Sequence, residues 1–256
     1  MSLYWENHGE GDPVLLVAGL ALPASSWWRT VPVLARRFRV LAYDHSGVAR
    51  SAARRAPFST SAMARDALAV LDAAGVERAH VYGISLGGLV AQKVATLQPE
   101  RVRSLVLGAT HPGGFRATPP DREVLAFLRR RPDLPPRESA WAFVPYNYGA
   151  RCRRHHLDRI AEDISRRVEF PFAKAAYRAQ LFAGATHDGL ASLRRLDVPT
   201  LVVHGAEDRV IPVANAHLLA DAVAGAELHV VDSVGHIYPT EEPAVDETIA
   251  SFLESV

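Results

Sequence analysis

The chain predicts a parallel α/β sheet flanked by helices and interrupted by a helical insertion. Three observations carry this. Short apolar runs (Val14–Val17, Val102–Leu107, Thr200–Val203) have the composition of strands buried on both faces. Helical stretches separate them, the alternation that yields parallel sheets. The alternation stops after Gly108 and resumes at Thr200. Between them, Phe115 to Arg195 holds helical stretches broken by prolines such as Pro119, Pro120, Pro132, Pro135, Pro136 and Pro145, too long a segment for a plain loop.

The elements follow in order. Leu3-Tyr4-Trp5-Glu6 reads as an edge strand that turns at His8–Pro13. The buried strand Val14–Val17 leads into the loop Ala18–Ala21, and Trp27 to Arg37 reads as helical. Phe38–Tyr43 is the next strand, followed by the loop Asp44–Ser51. Ser61–Ala74 is an amphipathic helix with Met63, Ala67, Leu68, Val70 and Leu71 on one side, stopped at Gly75. A strand ending at Val81-Tyr82 precedes a helix carrying Leu89, Val90, Val94 and Ala95, which ends at Pro99. After the insertion come Thr200–Val203, a helix near Val213–Val223, the strand Glu227–Val231 and a final helix near Val245–Leu253. The division expected is a core of residues 1–114 and 196–256 with a cap of residues 115–195.

Composition narrows the class. The 256 residues suffice for one domain with an insertion, and 48% hydrophobic with 22% charged residues is ordinary for a soluble globular protein. A net charge of +1 argues against nucleic acid or an anionic membrane as partner. Cys152 is the only cysteine, so neither an internal disulfide nor a cysteine metal cluster is available. No secretory leader and no membrane-spanning apolar stretch is read, and the expected location is the cytoplasm. His155-His156 and His187-Asp188 lack further ligands at metal-site spacing, and no P-loop or dinucleotide motif occurs, so no metal and no cofactor is expected.

The chemistry is concentrated at Gly83-Ile84-Ser85-Leu86-Gly87, a G-x-S-x-G turn between a strand and a helix. Such a turn exposes the serine Oγ, and glycines on either side let strand and helix close around it. A serine hydroxyl needs a general base, and a histidine base needs a carboxylate to fix its tautomer. Active residues of parallel sheets lie at the carboxyl ends of strands. After Thr200–Val203 comes His204-Gly205-Ala206-Glu207-Asp208, and after Glu227–Val231 comes Asp232-Ser233-Val234-Gly235-His236. Ser85, Asp208 and His236 are therefore the candidate catalytic set. Glu207 is a rival acid, one place off. His111, at the end of Val102–Leu107, is a candidate pocket residue.

On these motifs the chain resembles the α/β-hydrolase superfamily over its whole length. Gly205-Ala206-Glu207-Asp208 is similar to the acid loop and Gly235-His236 to the histidine loop. The resemblance implies two oxyanion donors, the backbone N–H of Leu86 and that of Leu20. The family's usual His-Gly-x loop reads Ala18-Gly19-Leu20 here, so the glycine survives and the histidine does not. The family's Asp-x-Arg-Gly-x-Gly-x-Ser reads Asp44-His45-Ser46-Gly47-Val48-Ala49-Arg50-Ser51, without the arginine. A serine nucleophile excludes the haloalkane dehalogenase and epoxide hydrolase branches.

The best overall likeness is to small lid-bearing members resembling 3-oxoadipate enol-lactonases and aminoacrylate hydrolases. It rests on the scaffold segments Leu16–Leu20, Phe38–Asp44 and Leu71–Val76, so it barely constrains substrate. The resemblance implies hydrolysis of a small-molecule ester, lactone or thioester. A receptor-like member, or cofactor-free chemistry such as dioxygenation, cyclisation or perhydrolysis, is the alternative. The insertion carries Phe115, Phe127, Trp141, Phe143, Tyr146, Tyr148, Phe170, Phe172, Tyr177 and Phe182, so an apolar, partly aromatic pocket is expected. Trp28 and Trp141 are candidate walls of it.

Overall fold

The computed structural model describes residues 3–53 and 58–256. Its strands are β1 (Trp5–His8), β2 (Asp12–Val17), β3 (Phe38–Tyr43), β4 (Ala79–Ile84), β5 (Val102–Gly108), β6 (Thr200–Gly205) and β7 (Glu227–Val231). They form one sheet in the order β1-β3-β2-β4-β5-β6-β7. β1 runs antiparallel to β3, and every other pairing is parallel. The edge strand lies slightly later than the sequence predicts, because its register is set by pairing Trp5 with Tyr43.

The apolar runs are continuous because alternate residues enter different cores. Leu15, Val17, Leu41, Val81, Leu105 and Val202 pack on one face of the sheet, against α2 (Thr60–Ala73), α3 (Leu86–Leu97) and α11 (Ala214–Ala222). Val14, Leu16, Val40, Val106, Leu201 and Val203 pack on the other. There they meet α1 (Thr30–Leu34) and α13 (Ala244–Glu254). The helix expected from Trp27 to Arg37 is shorter. A 3₁₀ turn, Ala24–Trp27, precedes α1, and Pro32 sits in the first turn of α1, where its missing N–H costs nothing. The preceding turn lodges Trp27 in the core, its ring 4.9 Å from that of Tyr82.

Between β5 and β6 the described residues hold helices and no strand. These are α4 (Arg122–Arg130), α5 (Pro136–Ala142), α6 (Val144–Asn147), α7 (Ala150–His155), α8 (Leu157–Glu169), α9 (Lys174–Ala185) and α10 (Leu190–Leu193). A short helix α12 (Tyr238–Glu241) follows the last strand. The insertion leaves and returns through one doorway. Gly113 and Asp188 pair as an isolated antiparallel bridge, the Gly114 N–H donates to the His187 carbonyl at 3.0 Å, and the Gly189 N–H donates to the Pro112 carbonyl at 2.8 Å. No helix of the described residues is long and apolar enough to cross a membrane.

Candidate active site

Ser85 stands between β4 and α3 with φ +58° and ψ −123°. A non-glycine residue there is strained, on the order of 1–3 kcal/mol, and persists only where its surroundings fix it. The surroundings do so. The Ser85 N–H donates to the Gly108 carbonyl at 2.9 Å, and the Ser85 carbonyl accepts from the Thr110 hydroxyl at 2.8 Å and the Gly88 N–H at 2.9 Å. The glycines are required by close approach. A Cβ on Gly83 would strike the Gly87 carbonyl, and one on Gly87 would strike the Val17 carbonyl.

The loops after β6 and β7 are zipped together. The Glu207 N–H donates to the Val234 carbonyl at 2.8 Å, and a Cβ on Gly205 would collide with the Gly235 carbonyl. This apposition brings Asp208 Oδ2 to 2.7 Å from His236 Nδ1. The rival Glu207 turns away, its carboxylate accepting from the Ala150 N–H at 2.8 Å. Asp208 Oδ1 accepts two backbone N–H groups, from Val210 and Ile211, each at 2.8 Å. Burial pushes the Asp208 carboxyl up, but the charge of His236 and the bonds from His204 and His236 outweigh it and hold it down at about 2.

His204 is a residue that sequence reasoning did not single out. Its Nε2 lies 2.8 Å from the Ile211 carbonyl and 3.2 Å from Asp208 Oδ2, so Nε2 carries the proton. The available signal was its place four residues before Asp208 at a strand's carboxyl end.

Ser85 and His236 line one cavity of about 320 Å³. Leu20, Leu86 and His111 line it too. Among the described residues, the N–H groups of Leu20 and Leu86 donate to no protein acceptor. The Leu20 loop passes close to Ser85, since a Cβ on Gly19 would lie 3.4 Å from Ser85 Cβ. Residues far along the chain hold that loop where the family's histidine is missing. The Ala21 N–H, at φ +55°, donates to Gln180 Oε1 of α9 at 2.7 Å. His45 Nε2 donates to the Ala18 carbonyl at 2.9 Å, and Asp44 Oδ1 accepts from the Ala24 N–H at 2.7 Å. Asp44 in turn is paired with Arg50, whose Nε lies 2.8 Å from Oδ2.

Two expectations about the walls are corrected. Trp141 is 38% exposed on the outside of the insertion, because α5 turns Ser139 and Ala140 inward instead. Trp28 does not line the Ser85 cavity. It borders a smaller one of about 60 Å³ that shares His236, sandwiched by the guanidiniums of Arg29 and Arg166 at 4.0 and 4.2 Å. The main cavity is apolar but hardly aromatic, with Phe143 its one aromatic carbocycle. Phe127 stacks on Phe143, Tyr146 packs tilted against both, and Phe115 and Phe182 face solvent. His111 lines this cavity, and burial lowers it to about 4, so it is neutral near pH 7. No group of potential metal ligands occurs among the described residues.

A family model described as alpha/beta hydrolase fold matches residues 12–243. A RutD protein of Azorhizobium caulinodans, provisionally named a carbamate hydrolase, is 34% identical over 95% of this chain and 91% of its own. A 2-hydroxymuconate semialdehyde hydrolase of Pseudomonas sp. (strain CF600) is 33% identical over 92% of this chain and 85% of its own. Among solved structures, the enol-lactonase of Burkholderia xenovorans LB400 has a TM-score of 0.87 at 25% identity, covering 98% of this chain and 96% of that one. The matched span runs from the start of β2 to just past α12, and the chain belongs to the α/β-hydrolase family.

Proposed function

We propose that the protein is a serine hydrolase that cleaves a carboxylic ester or lactone of small to medium, largely apolar body through an acyl-enzyme on Ser85. The observation that carries this reading is the 2.7 Å contact of Asp208 with His236, which lines one cavity with the strained Ser85. His236 takes the Ser85 proton as Oγ attacks the carbonyl, and Asp208 holds the imidazolium. The N–H groups of Leu20 and Leu86 receive the oxyanion. His236 returns the proton to the leaving alkoxide, and water then releases the acid by the same relay. Residues 115–195 act as a cap over the site.

Covalent labelling tests the assignment. A fluorophosphonate probe should label the native protein and fail to label Ser85→Ala; labelling that persists in the variant would remove Ser85 from its role. A panel of p-nitrophenyl esters, lactones and a p-nitrophenyl carbamate then reads the bond cleaved. Binding without burst or turnover would favour the receptor-like alternative.

A further inference from the structure

The main cavity carries charge of one sign. Arg131, in the 3₁₀ turn after α4, lines it, and so does Arg167 of α8, while no aspartate or glutamate does. Arg131 is only 7% exposed. Its Nε donates to Ser139 Oγ at 3.3 Å, and its guanidinium faces the rings of Phe143, Phe172 and Tyr177 at 4.5, 5.4 and 5.8 Å. Neither Arg131 nor Arg167 forms an ion pair among the described residues.

A guanidinium does not give up its proton near neutral pH, so it cannot escape burial by neutralising. Buried charges are ordinarily paired, because the lost hydration is costly. Aromatic faces offset part of that cost. Arg167 adds to it as a second cation, and burial with the field of Arg167 brings Arg131 down to about 10.

Gln180 supplies an independent observation. It is fully buried and lines the same cavity. Its Oε1 is identified by the Ala21 N–H it accepts, so its other end must be the NH₂, which has no partner among the described residues. The cap wall therefore holds two unpaired cations and an unused amide donor, facing a cavity that also contains Ser85.

We infer that this wall is a carboxylate subsite: the substrate is an ester or lactone whose acyl portion ends in a carboxylate received by Arg131, with Arg167 and the Gln180 amide beside it. The inference rests on the hydrolase reading of Ser85. Planar guanidinium and carboxylate groups match in a two-point hydrogen bond, and both are stronger partners in a site screened from water.

The test compares p-nitrophenyl hydrogen adipate with p-nitrophenyl methyl adipate, equal in length and different in charge. The native protein should favour the acid by roughly tenfold or more in kcat/KM, and Arg131→Leu should abolish that ratio. Adipate should also inhibit hydrolysis of the neutral ester by the native protein competitively, and dimethyl adipate should do so far more weakly. This arm needs no variant. Turnover of the neutral ester with neither acid preference nor adipate inhibition overturns the subsite and leaves the hydrolase standing. A preference that survives in Arg131→Leu overturns the role of Arg131. If neither ester is turned over, calorimetry with adipate decides. Binding that is lost in Arg131→Leu keeps the subsite and rejects the hydrolase, and absence of binding rejects the subsite.

Discussion

Ala21 hands its N–H to Gln180, a side chain 159 residues away in sequence, and is held in the left-handed region by doing so. Leu20 is the residue before it, so on the proposed mechanism Gln180 is a positioning residue for the N–H that receives the oxyanion. A misaimed donor weakens transition-state binding more than substrate binding. Gln180→Ala should therefore lower kcat for the neutral p-nitrophenyl ester roughly tenfold or more, with a smaller change in KM. Steady-state kinetics reads the split. A raised KM with kcat intact would mean that Gln180 only lines the pocket. The residues legible in the sequence were those bound to local spacing: Ser85 in its elbow, and Asp208 and His236 just after their strands. Gln180, His204 and Arg50 were not legible in their contacts. Each acts through a contact that exists only after folding, and glutamine, histidine or arginine in a helix or loop is ordinary surface composition.

At the scale of elements, α1 and α13 pack side by side on one sheet face and bury an acid between them. Asp246 of α13 is 1% exposed and accepts from the Thr30 hydroxyl of α1 at 3.2 Å. Burial raises its carboxyl from 3.8 to about 7, against the pull of Thr30. The folded protein thus binds this proton more tightly than the unfolded chain. The contribution to stability is greatest below the unfolded value and is lost as pH rises toward and through about 7. Asp246→Asn keeps an acceptor for Thr30 and removes the titration. Its stability advantage over the native protein should grow by on the order of 1–2 kcal/mol between about pH 5.5 and 8.5, read by urea unfolding. An advantage equal at both pH values would contradict the assignment.

Elements of the sheet were readable because burial on both faces demands unbroken apolar runs, as at Val14–Val17. The insertion was readable as helical but not as a surface. Its aromatic residues serve cores, cavity and solvent alike, and only packing separates Phe143 from Phe115 and Trp141.

Across the whole molecule, the insertion and core share their hydrogen bonds. The His236 N–H donates to the Asn147 carbonyl at 2.8 Å, and buried Glu241 accepts from both the Gly149 and Gly235 N–H groups, at 2.8 and 2.9 Å. With Gln180 on Ala21, the insertion touches the Ala18–Ala21 loop and the His236 loop at once. Calorimetry should accordingly give one cooperative transition for the full chain; two resolved transitions would show an insertion that melts on its own. The doorway between Gly113 and Asp188 bears on how such a protein can change. Because β5 and β6 are neighbours in the sheet and the chain ends of the insertion are stitched together there, some seventy residues can be exchanged as a cassette without moving a strand. The graft must reproduce only the doorway and a few docking bonds. A recombinant carrying a foreign insertion would keep the elbow and the loops after β6 and β7 and set them beneath a different lining.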